Sequence, residues 1–378
     1  MKVLSISTDR RLFEEKSAVL ERQNGYTSKM EELHIIVFSY MSHSLTPKKI
    51  GNVFLYPTNS LSRATYFFDA LKIGENIILK NGFNKTSSVI TTQDPFETGL
   101  VGYFLHKKSN IPFQLQIHTD FLDPYFKRGF INRARVLIAK FVIPKAQGIR
   151  VVSSVISDSI KRKFPKLKIV PDVLPIFVDV NKLLTPSVST KVEFPQFKFI
   201  IFMASRLTKE KRIYTALGAL KEVLTEFPKV GLVIAGSGPE MDHLFNKVER
   251  LGMSKNVVFT GWQEDLLSYY KTADLFLLTS EYEGYGMTLI EAGASGCPIV
   301  TTRVGIAKTY MFKNGENCFV CPVGDSECLS RSILELIHDN SKRELFKRKM
   351  QYSIKSISIT KEEYTTKYVA LLEKLLQK

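Results

Sequence analysis

The sequence lacks any apolar run of 18 residues, so we expect no transmembrane helix. We also expect no signal peptide, because the opening MKVLSIS has one charge and a short apolar run before STDRR, which predicts a first strand. Charged residues make up 24% and hydrophobic residues 44%, as in soluble globular proteins. A length of 378 residues favours two domains.

Cysteine is scarce, with four residues in the chain: Cys297, Cys318, Cys321 and Cys328. Cys318 and Cys321 form a C-x-x-C, a spacing that also occurs in metal sites. The segment CFVCPV is typical of a strand, in which residues three apart face opposite sides. We therefore expect neither a metal site nor a disulfide, and free thiols fit a reducing cytoplasm.

Acidic residues are absent from Pro124 to Ser157, the most basic part of an unevenly charged chain. The net charge is +16, with 27 Lys+Arg against 15 Asp+Glu in residues 1–183 and 26 against 22 in the rest. Residues 124–157 interleave basic and apolar side chains, which suits an anionic membrane surface or the solvated face of a half-buried helix. Nucleic acid is a third candidate partner, but no nucleic-acid motif occurs, so we expect none.

Strands and helices alternate along most of the chain, which predicts doubly wound parallel sheets. In such sheets ligands bind at the carboxyl ends of the strands. One predicted strand, Pro112–His118, delivers His118 at its carboxyl end, where an ordinary core or loop histidine is the alternative interpretation. The alternation lapses at LLTPSVSTKVEF, which predicts a linker, and then restarts. Thr360-x-x-Glu363 predicts a capping box at the start of a last helix.

The stretch from Leu278 to Thr302 reads as a strand end, a glycine-containing loop, a helix and a second strand. Gly284 and Gly286 permit close backbone approach, and the helix N-terminus suits a phosphate. Glu283 and Glu291 would repel phosphate and therefore fit sugar hydroxyls better. An ordinary βαβ unit with two surface acids is the alternative.

Three other predicted strand ends offer groups that suit the same ligand. Arg206 and Lys211 are cations that suit phosphate. Arginine offers a planar fork of N–H donors, and lysine offers a point charge. Gly236 and Gly238 form a tight turn in GSGP, which is not a full G-x-G-x-x-G. Trp262 is suited to cover a base, or to packing. Together these groups predict a nucleotide diphosphate site with sugar-binding acids.

These motifs, in this order, resemble the retaining glycosyltransferases of family 4, also called glycosyl transferases group 1, which have the GT-B fold. The resemblance covers roughly residues 196–340 and rests on SRLTKEK, GSGPE, TGW and EGYGMTLIE, with two glutamates separated by seven residues. IHTD, which carries His118, and VVSSVISDSI resemble the first half of the family more weakly.

The resemblance implies two Rossmann-like domains that face a central cleft. They would be an acceptor-side domain (1–183), a linker (184–196) and a donor-binding domain (197–355), with a C-terminal helix (356–378) crossing back onto the first. Arg206 and Lys211 would hold the donor diphosphate, and the backbone of Gly286, Met287 and Thr288 would bind phosphate and sugar. Glu283 would bind the donor sugar, Glu291 the ribose, and His118 would lie beside the transferred sugar.

The function so implied is retaining sugar transfer from a nucleotide diphosphate sugar to a glycan or lipid-linked acceptor. It needs no metal and no other cofactor, and it would take place in the cytoplasm, with peripheral attachment to the inner face of the membrane through residues 124–157. A nucleotide-sugar 2-epimerase and a non-catalytic nucleotide-sugar-binding protein are the alternatives. The chain departs from the family where loop glycines are missing, in Ser7–Arg11, at Arg212 and at Ile306.

Overall fold

The computed structural model describes residues 1–14, 17–184 and 194–377. The chain forms two compact units, Met1–Pro175 with Thr360–Lys378, and Ile176–Ile359. The predicted linker, 184–196, lies mostly outside the described residues. None of the described helices has the length and apolar character needed to cross a bilayer.

The first unit is built on a sheet of eight strands in the order β3-β4-β2-β1-β5-β6-β7-β8. All neighbouring strands are parallel except β3 and β4. The strands are β1 (Lys2–Ser7), β2 (Glu32–Val37), β3 (Lys48–Ile50), β4 (Val53–Pro57), β5 (Ser88–Thr92), β6 (Phe113–Ile117), β7 (Gly148–Val151) and β8 (Asp172–Val173). β3 was not predicted, because three residues are too few to show an alternating pattern.

Helices of the first unit connect strands of this sheet, except the last one, which follows the second unit in sequence. They are α1 (Ala18–Tyr26), α2 (Tyr66–Lys80), α3 (Glu97–Ser109), α4 (Phe130–Val142), α5 (Ser154–Lys163) and α13 (Lys361–Glu373). The first helix begins at Ala18, because Ser17 caps it by accepting a hydrogen bond from the Leu20 N–H. The predicted capping box is confirmed, since Thr360 and Glu363 each accept from the other's N–H.

The last helix, α13, packs on β6, β7 and α1. The Tyr368 ring stacks on Tyr26 with 4.5 Å between centroids. The Arg150 guanidinium is buried and donates to the Tyr364 hydroxyl at 2.7 Å and to the Leu174 carbonyl at 3.1 Å. A buried cation is costly unless its donors are paired, so these contacts fix where α13 docks.

The second unit is built on a sheet of six parallel strands in the order β11-β10-β9-β12-β13-β14. They are β9 (Phe199–Ala204), β10 (Val230–Ala235), β11 (Val257–Gly261), β12 (Leu275–Leu278), β13 (Ile299–Thr302) and β14 (Phe319–Cys321). Helices α6 (Val180–Leu184), α7 (Ile213–Glu226), α8 (Met241–Arg250), α9 (Leu266–Thr272), α10 (Met287–Ala294), α11 (Ser326–His338) and α12 (Asn340–Lys355) complete it. The strands are apolar almost throughout because helices shield both faces.

The expectation that no disulfide forms is wrong. Cys321 is bonded to Cys328, while Cys297 and Cys318 are buried free thiols. The turn after β14 returns the chain to the first turn of α11, which brings the two Cα atoms to 5.8 Å. The prediction rested on the C-x-x-C spacing, whereas Cys321 bonds to a cysteine seven residues further on. With two of the four cysteines bonded, the cysteines no longer indicate a reducing compartment.

Candidate functional site

The carboxyl ends of β9, β10, β11 and β12 lie along one edge of the second sheet, because these neighbouring strands are all parallel. Most of the predicted donor-site residues follow one of these ends. Arg206 and Lys211 follow β9, Gly236 and Gly238 follow β10, Trp262 follows β11, and Glu283 follows β12. The topology thus brings together groups that lie far apart in sequence.

The GSG turn after β10 packs its backbone against the loop after β9. A Cβ atom at Gly236 would lie 1.9 Å from the Ser205 carbonyl oxygen, and Gly236 has a φ of +141°. A Cβ atom at Gly238 would lie 2.4 Å from the Leu207 carbonyl oxygen. Both positions therefore require glycine. Glycine is needed here because the backbone of the loop after β9 lies so close, whereas the sequence interpretation considered only a ligand.

Lys211 and Glu283 form an ion pair, with 2.5 Å between Nζ and Oε1. Both side chains are largely buried, at 13% and 14% exposed. The Ser280 hydroxyl donates to the same carboxylate oxygen at 2.7 Å, and Thr302 holds Ser280 in place by donating to its carbonyl at 2.6 Å. The sequence assigned one residue to diphosphate and the other to sugar, but did not predict that they contact each other.

Backbone hydrogen bonds join the two loops that carry this ion pair. The Glu281 N–H donates to the Glu210 carbonyl at 2.8 Å. The Thr279 hydroxyl donates to the Lys211 carbonyl at 2.8 Å. The loop after β9 and the loop after β12 are therefore joined to each other beside the ion pair.

The helix α10 begins directly after these loops, at Met287, as the sequence predicted. Its N-cap is Gly286, which has a φ of +96° and no side chain that could accept from the first turn. The Leu289 N–H donates to the Gly286 carbonyl at 3.0 Å, whereas the N–H groups of Met287 and Thr288 find no acceptor within the described residues and are left to water or to a ligand. Gly284, in the same loop, is half-buried. This is the usual setting for a phosphate at a helix N-terminus.

Glu291 lies in the second turn of α10 and pairs with a residue that the sequence did not single out. The Tyr270 hydroxyl donates to its Oε2 at 3.0 Å. Burial raises the pKa of the Glu291 carboxyl, and the Tyr270 hydrogen bond opposes that shift. Tyr270 is itself fully buried against Phe202 and Phe276. The orientation of Glu291 is therefore set by a rigid aromatic neighbour.

Two of the predicted residues are exposed. The Arg206 side chain is 71% exposed and lies 3.4 Å from the Glu210 carboxylate, a weak surface pair that a ligand can displace. Trp262 is 64% exposed, which leaves its indole face open. Two buried hydroxyls of the loop after β9, on Ser205 and Thr208, have no hydrogen-bond partner within the described residues.

His118 follows β6 in the first unit, and its side chain is half-buried, with an Nε2 atom that solvent does not reach. Burial, with a smaller contribution from Arg150 and Arg22, lowers the pKa of this imidazole to about 3. Its Nε2 has no partner among the residues that the structure describes. The ring is therefore neutral at physiological pH. Its unpaired Nε2 is unusual for a buried polar atom and is suited to a hydrogen bond with a ligand.

The glycine-free first loop is closed by its own side chains and by Gln93. The Gln93 Oε1 accepts from the Ser7 hydroxyl at 2.9 Å and from the Thr8 N–H at 3.0 Å. The Asp9 carboxylate pairs with Arg11 at 3.2 Å. Polar side chains thus occupy the positions that a glycine-rich loop would leave open.

Acidic and metal-binding side chains are scattered in the described ranges. Within residues 1–14, 17–184 and 194–377, no group of three or more His, Cys, Asp or Glu side chains could hold a metal ion.

The two doubly wound sheets define a GT-B fold, and comparison with solved structures confirms it. Sucrose-phosphate synthase from Thermosynechococcus elongatus superposes with a TM-score of 0.82 at 18% identity, and the match covers 100% of both chains. Anabaena HepE in complex with UDP-glucose superposes with a TM-score of 0.76 at 19% identity, covering 99% of this chain and 100% of that one. At such low identity the likeness establishes the fold alone.

Residues 187–351 match the family model of the glycosyl transferases group 1. The curated relatives include alpha-monoglucosyldiacylglycerol synthase of Streptococcus pneumoniae, 28% identical over 226 residues, which are 56% of this chain and 51% of that protein. The lipopolysaccharide core biosynthesis glycosyltransferase LpsE of Rhizobium meliloti is 31% identical over 153 residues, 40% of this chain and 44% of that protein. The chain spans about half the length of these relatives.

Proposed function

We propose that this protein transfers a sugar from a nucleotide diphosphate sugar to a glycan or lipid-linked acceptor, with retention of anomeric configuration. The observation that carries the proposal is the Lys211–Glu283 ion pair beside the uncapped N-terminus of α10. It joins a cation for the diphosphate and a carboxylate for the sugar at the carboxyl edge of a parallel sheet. The match to the glycosyl transferases group 1 over residues 187–351 and the UDP-glucose held by Anabaena HepE support the same ligand class.

Without a ligand, each member of the ion pair is the other's counter-ion. We propose that the donor replaces both contacts, so that its diphosphate pairs with Lys211 and its sugar hydroxyls donate to Glu283. When the bond from sugar to diphosphate breaks, negative charge grows on the leaving phosphate. Lys211, Arg206 and the first-turn N–H groups of α10 would stabilise that charge with little reorganisation. Glu291, oriented by Tyr270, would accept from the ribose.

His118 is proposed to contact the transferred sugar through its unpaired Nε2. A neutral imidazole can donate or accept one hydrogen bond without placing a second charge in a buried site. The direction of the lowered pKa, which burial causes, keeps it in this form. Its role would thus be hydrogen bonding to the sugar, not charge neutralisation.

The decisive experiment is a thermal-shift screen of nucleotide sugars, because a ligand that binds only the folded protein raises its apparent stability. Each donor that shifts the transition is then tested for transfer to glycerolipid and oligosaccharide acceptors, and the anomeric configuration of the product is read by NMR. Stabilisation without turnover would favour a binding protein. Conversion of the donor sugar without an acceptor would favour a 2-epimerase. An inverted product would exclude retention.

A lipid-linked acceptor is supported by the exposed face of α4. Four apolar side chains on this helix are exposed: Phe130, Ile131, Leu137 and Phe141. Phe130 is 87% exposed, and the basic residues Arg133 and Lys140 lie on the same helix in solvent. Apolar and basic side chains together favour an anionic lipid surface. The relative from Streptococcus pneumoniae carries a name that specifies a glucosyl diacylglycerol product.

Vesicle co-sedimentation tests this surface. We expect binding to vesicles of 30% phosphatidylglycerol in phosphatidylcholine, with loss of binding in pure phosphatidylcholine and a decrease with added salt. Phe130→Ser with Leu137→Ser should abolish binding, whereas Leu345→Ser, an exposed apolar residue of α12, is the matched control. If binding depended neither on lipid charge nor on the α4 substitutions, α4 would not be a surface for anionic lipid.

A further inference from the structure

Arg212, the residue after Lys211, has an unfavourable backbone conformation. Its φ is +47° and its ψ +42°, in the left-handed region, where it ends one turn and begins α7. The other non-glycine residues of positive φ in the described ranges are Ser44, Asn59 and Asn110. Asparagine tolerates this region, and a long side chain does not. An outlier of this kind persists only where surrounding contacts enforce it, and such outliers cluster at functional sites.

The Arg212 side chain connects three strand-end loops. Its Nη1 lies 3.5 Å from the Glu281 Oε2 in the loop after β12. Its Nη2 lies against Gly324, in the turn after β14, where a Cβ atom would approach it to 3.0 Å. Arg212 itself belongs to the loop after β9. No other residue type has a planar fork of donors that could reach both Glu281 and Gly324.

The loops that Arg212 connects carry the proposed donor contacts. Lys211 immediately precedes it, and Glu281 is two residues before Glu283. The Glu281 N–H is already bonded to the Glu210 carbonyl, so the pairing of Arg212 with Glu281 adds a side-chain restraint to a backbone one. The Nε of Arg212 is buried and has no partner in the described part of the chain. The folded chain alone therefore leaves this guanidinium incompletely satisfied.

We propose that Arg212 is a positioning residue, which holds the loop 279–286 so that Lys211 and Glu283 are set for a nucleoside diphosphate. The inference rests on the proposed function, since it names what fixes that same site. Arg212 acts through its neighbours and need not touch the ligand. Glycine would suit the local backbone better, so the contacts of the side chain are what arginine contributes at this position.

The substitution Arg212→Gly separates a positioning role from a purely structural one. A structural role predicts a lower melting temperature, and a positioning role does not. Glycine relieves the left-handed backbone, so the melting temperature should be unchanged or higher. The lost restraint should weaken binding of UDP, GDP or ADP, whichever the wild type binds, by about tenfold. The corresponding monophosphate, which lacks the β-phosphate, should lose less than threefold. Asn110→Gly, which relieves the same backbone region in the first unit, is the matched control and should leave binding unchanged.

Amide hydrogen exchange gives a second readout that needs no nucleotide. Arg212→Gly should increase exchange in residues 279–286 at least fivefold, and Arg212→Lys should restore part of the protection. Glu281→Ala should weaken diphosphate binding to a similar degree, and the double variant should be no worse than either single one. Unchanged exchange in 279–286 would overturn the proposal, as would diphosphate affinity equal to that of the wild type. If the wild type binds no nucleoside diphosphate, the proposed function fails, and the exchange data still decide the positioning role.

Discussion

Lys211 and Glu283 lie 72 positions apart in the chain, yet their Nζ and Oε1 atoms are 2.5 Å apart in the second unit. The contact joins the loop after β9 to the loop after β12, which follow neighbouring parallel strands. A largely buried ion pair is rarely a net gain in stability, because both charges lose their hydration. Its presence at a sheet edge accords with the proposed role of both side chains in ligand binding.

The first prediction concerns this ion pair. Lys211→Ala should lower the transfer rate at least a hundredfold, the usual cost of removing one preorganised charge-stabilising group. Circular dichroism should show a folded protein, because α7 and the strands do not depend on this side chain. The matched control is Lys209→Ala, an exposed lysine two residues earlier. Wild-type turnover in Lys211→Ala would remove the ion pair from the mechanism.

The predictable part of this protein was the part that local pattern determines. The strand before His118 was predicted as Pro112–His118 and is observed as Phe113–Ile117, and the helix predicted after the glycine-containing loop of Leu278–Thr302 is also present. Apolar periodicity and glycine punctuation are local signals, which is why both could be predicted. Both parallel sheets followed from the βα alternation. β3 was missed because its three residues make a local antiparallel pair that has no periodicity of its own.

The part of the site that was not predicted depends on tertiary contacts. Tyr270 orients Glu291 across 21 residues, and nothing in LLSYYKT distinguishes it from the adjacent Tyr269. Cys328 pairs with Cys321 because a turn returns the chain, and not because of a spacing motif. Arg212 was noted only as a missing glycine, and its left-handed backbone became apparent in three dimensions.

The second prediction concerns Tyr270. Tyr270→Phe removes the hydroxyl that donates to Glu291 but keeps the ring packed against Phe202 and Phe276. A hydrogen bond to a charged group contributes about 1.5–3 kcal/mol, so affinity for the preferred nucleoside diphosphate should fall at least tenfold. Calorimetry measures the loss.

A ribose-modified ligand shows whether the effect of Tyr270 passes through the sugar of the nucleotide. With the 2′,3′-dideoxy diphosphate, Tyr270→Phe and wild type should bind alike, since no ribose hydroxyl remains for Glu291. Tyr269→Phe is the control for a neighbouring hydroxyl on the same helix. An equal loss for both ligands would mean that Tyr270 acts on general packing instead.

The third prediction concerns the disulfide between Cys321 and Cys328. Iodoacetamide treatment of the denatured, unreduced protein should label two cysteines, Cys297 and Cys318, and prior reduction should raise the number to four. Mass spectrometry counts the labels. Closing a loop of this length restricts the unfolded chain, so Cys328→Ser should lower the unfolding free energy by about 2 kcal/mol. Four labels without reduction, in protein purified without reductant, would contradict the bond.

The fourth prediction uses the imidazole of His118. Its pKa is lowered from the ordinary 6.5 to about 3, mainly by burial and then by Arg150 and Arg22. Between these values the unfolded chain binds a proton at this residue and the folded chain does not. The free energy of unfolding should therefore fall as the pH decreases from about 6.5 toward 3, by up to about 1.4 kcal/mol per pH unit.

His118→Gln removes this titration, so its unfolding free energy should depend less on pH than that of the wild type over the same interval. Urea unfolding at several pH values measures the slope of the unfolding free energy against pH for both proteins.

Asp94 changes the unfolding free energy with pH in the opposite direction, because burial raises the pKa of its carboxyl to about 6. Between about pH 6 and 3.8 the folded chain holds more protons at Asp94 than the unfolded chain does, so protonation there stabilises the fold as the pH falls. Asp94→Asn should therefore steepen the loss of stability in acid while His118→Gln flattens it, and parallel slopes for the two variants would refute the assignment of His118 as a neutral imidazole.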